Sequence, residues 1–154
     1  MTAHSEIVLT DFKELDEFLD DREHDDPRTF VSYKGSPGLL AAVMKLLDPP
    51  LVEHRGAVFL GFAFDAAVVD EWFLRLAGDV AGVERIVNHL HVWEILPTNA
   101  FDEDEAKRLV GPIAQFWRSA LQARFPDRRF VVETECDADY GPEVTFYTSA
   151  PRLK

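Results

Sequence analysis

The fold class is decided by residues 129–148, which read RFVVETECDADYGPEVTFYT. Two stretches, 129–136 and 143–148, alternate between apolar and polar side chains, as strands with one covered face do. The residues between them are rich in Asp and Gly, which favour turns. The sequence therefore predicts a C-terminal β-hairpin, with Glu133 and Glu135 on the face that is open to water.

Upstream of this hairpin, helical and strand patterns alternate. The periodicity predicts helices at about 11–19, 39–47, 66–77 and 102–124, and strands at 29–33, 57–64 and 83–96. The stripe of the second helix comprises Leu39, Leu40, Val43, Met44 and Leu47. The last helix contains Gly111-Pro112, where we expect a kink or a break because proline lacks a donor N–H. In its second half we expect a set that includes Phe116 and Trp117 to face inward.

The mixture of strands and helices, ending in a hairpin, predicts an α+β fold. We expect a mixed or mainly antiparallel sheet of four or five strands, with helices packed on one face. A three-layer sandwich is the alternative, because residues 57–64 are apolar at every position, as in strands covered on both faces. A length of 154 residues favours one domain, 1–154, in which we expect residues 1–10 to be flexible.

The charge balance restricts the classes of partner. Asp and Glu total 28 against 16 Lys and Arg, a net charge of −12 that repels nucleic acids and anionic membranes. We expect neither as a partner. No apolar stretch reaches the roughly 18 residues of a membrane-spanning helix, and the first ten residues do not resemble a secretory signal, so we expect a cytoplasmic location. Cys136 is the single cysteine, which excludes an intrachain disulfide.

Residues 87–94, VNHLHVWE, are the segment most suggestive of chemistry. Residues two apart on a strand share a face, so His89, His91 and Trp93 would lie together. Two imidazoles at this spacing can bind one divalent metal ion, and Glu133 or Glu135 could add a carboxylate. These five residues form the candidate ligand pocket, with His89 and His91 as candidate metal ligands. The alternative is that the histidines only form cross-strand hydrogen bonds and stack with Trp93.

Two hypotheses of function follow. The chain has no Gly-x-Ser-x-Gly elbow and no P-loop, which favours a binding or interaction protein over an enzyme. Its acidic surface suits a protein partner with a basic surface, although a small ligand and homodimerisation also remain open. The alternative is a metal-dependent or acid–base enzyme that uses His89 and His91 with a carboxylate.

Overall fold

The computed structural model describes residues 6–19, 26–97 and 101–150. The flexibility expected of residues 1–5 concerns residues outside this part of the chain. Residues 20–26, DDREHDD, are the most acidic run of the sequence, and most of this run also lies outside it. The described elements are a 3-10 turn at Leu9–Asp11, helices α1 (Lys13–Leu19), α2 (Pro27–Lys34) and α3 (Pro37–Leu47), strands β1 (Leu51–His54) and β2 (Ala57–Leu60), helices α4 (Ala66–Arg75) and α5 (Val80–Val87), strand β3 (His89–His91), a 3-10 helix at Val92–Ile95, helix α6 (Glu103–Arg124), and strands β4 (Phe130–Glu135) and β5 (Glu143–Thr148).

The α+β class is confirmed, but the five strands form two small antiparallel sheets. One sheet is the hairpin of β1 and β2, and the other has the order β3-β5-β4. The prediction of a single sheet of four or five strands is therefore not matched. The C-terminal hairpin is confirmed, with Phe130 opposite Thr148 and Glu135 opposite Glu143. Among the described residues, no helix is both long and apolar enough to cross a membrane.

The core lies on both sides of β2. Val58 and Leu60 join the main cluster, in which α6 packs on the inner faces of β4 and β5, and the indole of Trp117 meets the ring of Phe146 edge-on at 6.0 Å. Ala57 and Phe59 face a second cluster, formed with α4 and α5. All four residues of β2 are buried, as their uniformly apolar sequence predicted.

Two buried side chains, Glu84 of α5 and Asn88 directly after it, bind the edge of β2 that β1 leaves free. The N–H of Val58 donates to Glu84 Oε1 at 2.8 Å, and the N–H of Leu60 donates to Asn88 Oδ1 at 2.9 Å. The Asn88 amide donates in return to Val58 O at 2.7 Å. Glu84 and Asn88 are one helical turn apart and therefore face the same way. Their side chains thus make the hydrogen bonds to β2 that a neighbouring strand would otherwise make.

The same two residues also bind the second sheet. Thr148 donates to the Glu84 carboxylate from its N–H and, at 2.9 Å, from its hydroxyl. The main-chain oxygen of Asn88 accepts the N–H of Phe146 at 3.2 Å. Burial raises the pKa of Glu84, against the hydrogen bonds from Thr148 and Val58, which lower it. The two sheets are thus joined through side chains of α5, without direct strand pairing.

Three elements differ from the sequence prediction. Residues 29–33 are helical and not a strand: the Asp26 carboxylate accepts the N–H of Arg28 at the helix N-terminus, and Pro27 occupies the first turn. The predicted strand 83–96 is helix α5 followed by the short β3 and a 3-10 helix. Pro112 lies inside α6, which continues through it as one helix. The hairpin strand β1 was not predicted.

Candidate functional site

His89 and His91 lie on the outer face of the three-stranded sheet. His89 lies opposite Thr145, which lies opposite Glu133 on the far strand. His91 is aligned in the same way with Glu143 and then with Glu135. Residues directly opposite one another point to the same side of a sheet, so the predicted histidines and glutamates do share one face. However, β5 lies between them, and two strand spacings amount to roughly 10 Å.

Glu143 is therefore the carboxylate closest to the histidines in the sheet. Its Oε2 lies 3.4 Å from His91 Nε2, and both side chains are largely buried. Glu143 begins β5, and the register of β3 against β5 brings it beside His91. Sequence reasoning missed it because strand alternation gives the face of a residue and not its neighbour on another strand.

The two imidazoles differ in their hydrogen bonding. His89 donates from Nδ1 to Ile86 O at 2.7 Å, which leaves its Nε2 without the proton in the neutral ring. His91 Nδ1 is buried and has no hydrogen-bond partner among the described residues. The rings meet edge-on with their centroids 5.1 Å apart, and the ring of Tyr140 lies 6.1 Å from that of His91. The site thus contains a histidine pair, a carboxylate and one unsatisfied ring nitrogen.

Glu133 and Glu135 have other partners. Glu133 accepts the hydroxyl proton of Tyr147, and the guanidinium of Arg85 lies 3.8 Å from the centroid of the Tyr147 ring. The hydrogen bond to Tyr147 raises the pKa of Arg85, against the effect of burial. Glu135 accepts the N–H of Asp137 at 3.0 Å, within the hairpin turn. These contacts tie both glutamates to the sheet at a distance from the histidines.

Trp93 lies in the 3-10 helix after β3 and not on a strand with the histidines. Its indole packs against Gly141, which has φ +92°, and a Cβ there would stand 2.5 Å from the indole Cδ2. Glycine is required at this turn both by the backbone angle and by the close approach of the ring. Within the described ranges, no group of three or more His, Cys, Asp or Glu side chains is arranged to hold a metal ion.

A different surface stands out on α3. This helix contains no buried residue, although it is the most apolar helix for which both caps are described. We define the α3 face as Leu39, Leu40, Val43 and Met44 of α3 with Phe116 of α6, side chains that are between 37% and 66% exposed. An open groove of ≈ 670 Å³ borders two of these residues, Met44 and Phe116, and is also lined by Pro50. Clusters of exposed apolar side chains are typical of interaction surfaces.

The α3 helix is held firmly although its apolar face is open. The hydroxyl of Ser36 caps its N-terminus by accepting the N–H of Leu39 at 3.1 Å. Near its C-terminus, the indole of Trp117 donates to Leu46 O at 2.8 Å. Arg124 then binds Pro49 O and the Asp48 carboxylate, each at 2.8 Å. The helix is therefore pre-ordered, which lowers the entropic cost of binding a partner.

Sequence reasoning identified this stripe but could not tell that it is uncovered. The spacing of the apolar residues in α3 is that of a helix packed on a core, and Phe116 was expected to face inward. Only the last residues, Leu46 and Leu47, pack against the core, while Phe116 is exposed.

Comparison with protein-family models, curated proteins and solved structures finds no match. The proposed function therefore rests on the geometry of this chain alone.

Proposed function

We propose that this chain is a cytoplasmic protein-binding domain that docks a partner on the α3 face. The observation that carries the proposal is the absence of any buried residue in a capped, strongly apolar helix. Removing apolar surface from water contributes about 25 cal/mol per Å². A partner that covers these five side chains would gain this energy without first having to order the helix.

The charge of the chain favours a particular kind of partner. The α3 face itself holds few charges: Lys45 borders the groove, and Asp48 is neutralised by Arg124. The chain as a whole has a net charge of −12, so two copies repel, whereas a basic protein is attracted and steered towards it. We therefore propose a different protein, with apolar side chains surrounded by a basic rim, and not a second copy of this chain.

Replacing Met44 with glutamate tests the docking surface. We expect Met44→Glu to weaken partner binding by roughly 100-fold or more, because a carboxylate would be buried in an apolar interface without a partner. Met44 is 66% exposed, so the free chain should keep its fold. The partner is captured at low salt on the immobilised wild type and identified by mass spectrometry. Its affinity for each variant is then measured by calorimetry.

The matched control is Leu74→Glu, which adds the same charge at a 79% exposed apolar position on α4. It should bind the partner like the wild type. Equal binding by the Met44 and Leu74 variants would show that the α3 face is not the docking surface. Light scattering of the wild type alone tests the choice of partner. A stable dimer would show that a second copy of this chain, and not a basic protein, covers the α3 face.

A second candidate function is acid–base or metal-dependent catalysis at His89 and His91 with a carboxylate, which the structure supplies best as Glu143. The specific support is the buried His91 Nδ1, which has no hydrogen-bond partner in the described ranges of the chain. A buried nitrogen without a partner costs roughly 1–3 kcal/mol, and a bound ligand would remove this cost. The imidazole of His91 and the carboxylate of Glu143, with Nε2 and Oε2 3.4 Å apart, are also side chains of the kinds that act in acid–base catalysis.

Metal analysis tests the metal-dependent form of the second candidate. Tag-free protein is analysed for metals after addition of zinc and of nickel, beside the His89→Ala/His91→Ala double variant. The docking proposal predicts no stoichiometric metal in either form. One metal ion per chain that disappears in the double variant would instead favour the catalytic candidate. His4, His24 and His54 remain in both proteins, so weak binding at other histidines cancels in the comparison.

A further inference from the structure

A cavity of ≈ 360 Å³, separate from both surfaces above, lies beside α6 and the edge strand β4. Arg118 and Gln122 reach it from α6, Arg128 and Arg129 from the turn before β4, and Ser149 from the end of β5. Its volume is within the range of about 300–1,000 Å³ that is usual for small-molecule sites. Three of the nine lining residues are arginines, Arg118, Arg128 and Arg129, although the chain has a net charge of −12.

Two of these arginines have no carboxylate partner among the residues that the structure describes. Among the described basic residues, only Lys45, Arg85, Arg118 and Arg129 form no ion pair, and the last two both line this cavity. Arg128 is the exception in the cavity, since its Nη2 lies 2.7 Å from Glu53 Oε2. The positive charges of Arg118 and Arg129 are therefore left uncompensated on a molecule with a large excess of acidic groups.

The site is also partly pre-organised. Arg118 Nη2 donates to Val132 O at 3.0 Å, on the side of β4 that faces away from β5. This bond fixes the guanidinium at the sheet edge and leaves most of its five N–H donors available. The N–H of Ser149 donates to Arg129 O at 2.8 Å, which holds the main chain at the second arginine. Planar guanidinium groups match the two oxygens of a carboxylate or phosphate.

We propose that this cavity binds a small organic anion through a carboxylate or phosphate group held by Arg118 and Arg129. Gln122 and Ser149 are the neutral polar residues that line the same space. Leu121 and Phe130 supply an apolar wall for the rest of the ligand. The site is independent of the α3 face, so either proposal can fail without the other.

The test is calorimetric titration at low salt with two probes, inorganic pyrophosphate and citrate, which distinguish phosphate from carboxylate recognition. The wild type should bind at least one probe at one site per chain, with an affinity that falls as salt rises. Arg118→Gln and Arg129→Gln should each weaken this binding by tenfold or more. Lys45→Gln, which removes an unpaired charge elsewhere, should leave it unchanged.

Arg129→Gln is the decisive variant, because the Arg129 side chain makes no hydrogen bond or ion pair within the described residues and its loss should not affect folding. Arg118→Gln removes the bond to Val132 as well, so its melting temperature is measured in parallel. The proposal is overturned if the wild type binds neither probe at millimolar concentration. It is equally overturned if Arg129→Gln binds as tightly as the wild type.

Discussion

Replacing Asn88 with alanine should lower the free energy of unfolding by about 2–5 kcal/mol, because it leaves two buried backbone groups without partners. These groups are the N–H of Leu60 and the carbonyl of Val58, both on the fully buried strand β2. The residue joins the two sheets, so no water replaces its bonds without opening the core. Urea unfolding followed by circular dichroism measures the loss.

The control for this variant is Gln115→Ala, which removes an exposed amide from α6 and should change stability by less than about 0.5 kcal/mol. Glu84→Ala should resemble Asn88→Ala, since the carboxylate also accepts two backbone N–H groups, from Val58 and Thr148. If both substitutions at the junction cost no more than Gln115→Ala, the two sheets are not held together by these side chains.

Replacing Trp117 with alanine should cost about 3–5 kcal/mol of stability, the range for removing a large aromatic side chain from a core. Its indole is 1% exposed and contacts the ring of Phe146 in the main cluster. Thermal unfolding should therefore show a marked fall in melting temperature. A loss below 1 kcal/mol would mean that α6 does not pack on the sheet as described.

Trp117→Phe separates the packing of this side chain from its hydrogen bond. Phenylalanine keeps most of the apolar contacts but cannot donate to Leu46 O, so we expect a smaller loss of about 1–2 kcal/mol. The bond holds the C-terminal end of α3 against α6. Hydrogen exchange of the α3 amides should consequently be faster in Trp117→Phe than in the wild type.

The sequence was most informative where local pattern and tertiary structure agree. The alternation in residues 129–148 predicted the hairpin and its wet face, and helical periodicity predicted helices at about 39–47, 66–77 and 102–124. In the structure, Ser36, Asp65 and Asp102 accept backbone N–H groups at the starts of these helices. These features depend on neighbours a few residues away, and such neighbours can be read from one sequence.

The helix α5 was missed because local propensity and tertiary contacts disagree. Its valines and isoleucine are β-branched and favour a strand. In the structure, Asp79 caps the helix by accepting the N–H of Gly82, and Val83 packs in the second cluster. The polar side chains of Glu84 and Asn88 reach backbone groups at least 26 residues away in sequence. Such long-range pairing has no local signature.

The candidate site was predictable only in part for the same reason. Alternation placed His89, His91, Glu133 and Glu135 on one sheet face, but the order β3-β5-β4 separates the two pairs and introduces Glu143. The α3 face was hidden in a different way. The spacing of apolar residues along a helix is the same whether the chain itself or a partner covers them. Only the structure therefore shows that the α3 face is exposed.

The docking surface is tested most directly by a photo-crosslinking amino acid placed at position 44 and, separately, at position 74. Both positions are exposed and apolar, on α3 and α4 respectively. Irradiation in a native lysate should produce one discrete adduct with a basic protein from position 44 and none from position 74. Equal adducts from both positions, no adduct from position 44, or an adduct with a second copy of this chain would contradict the account.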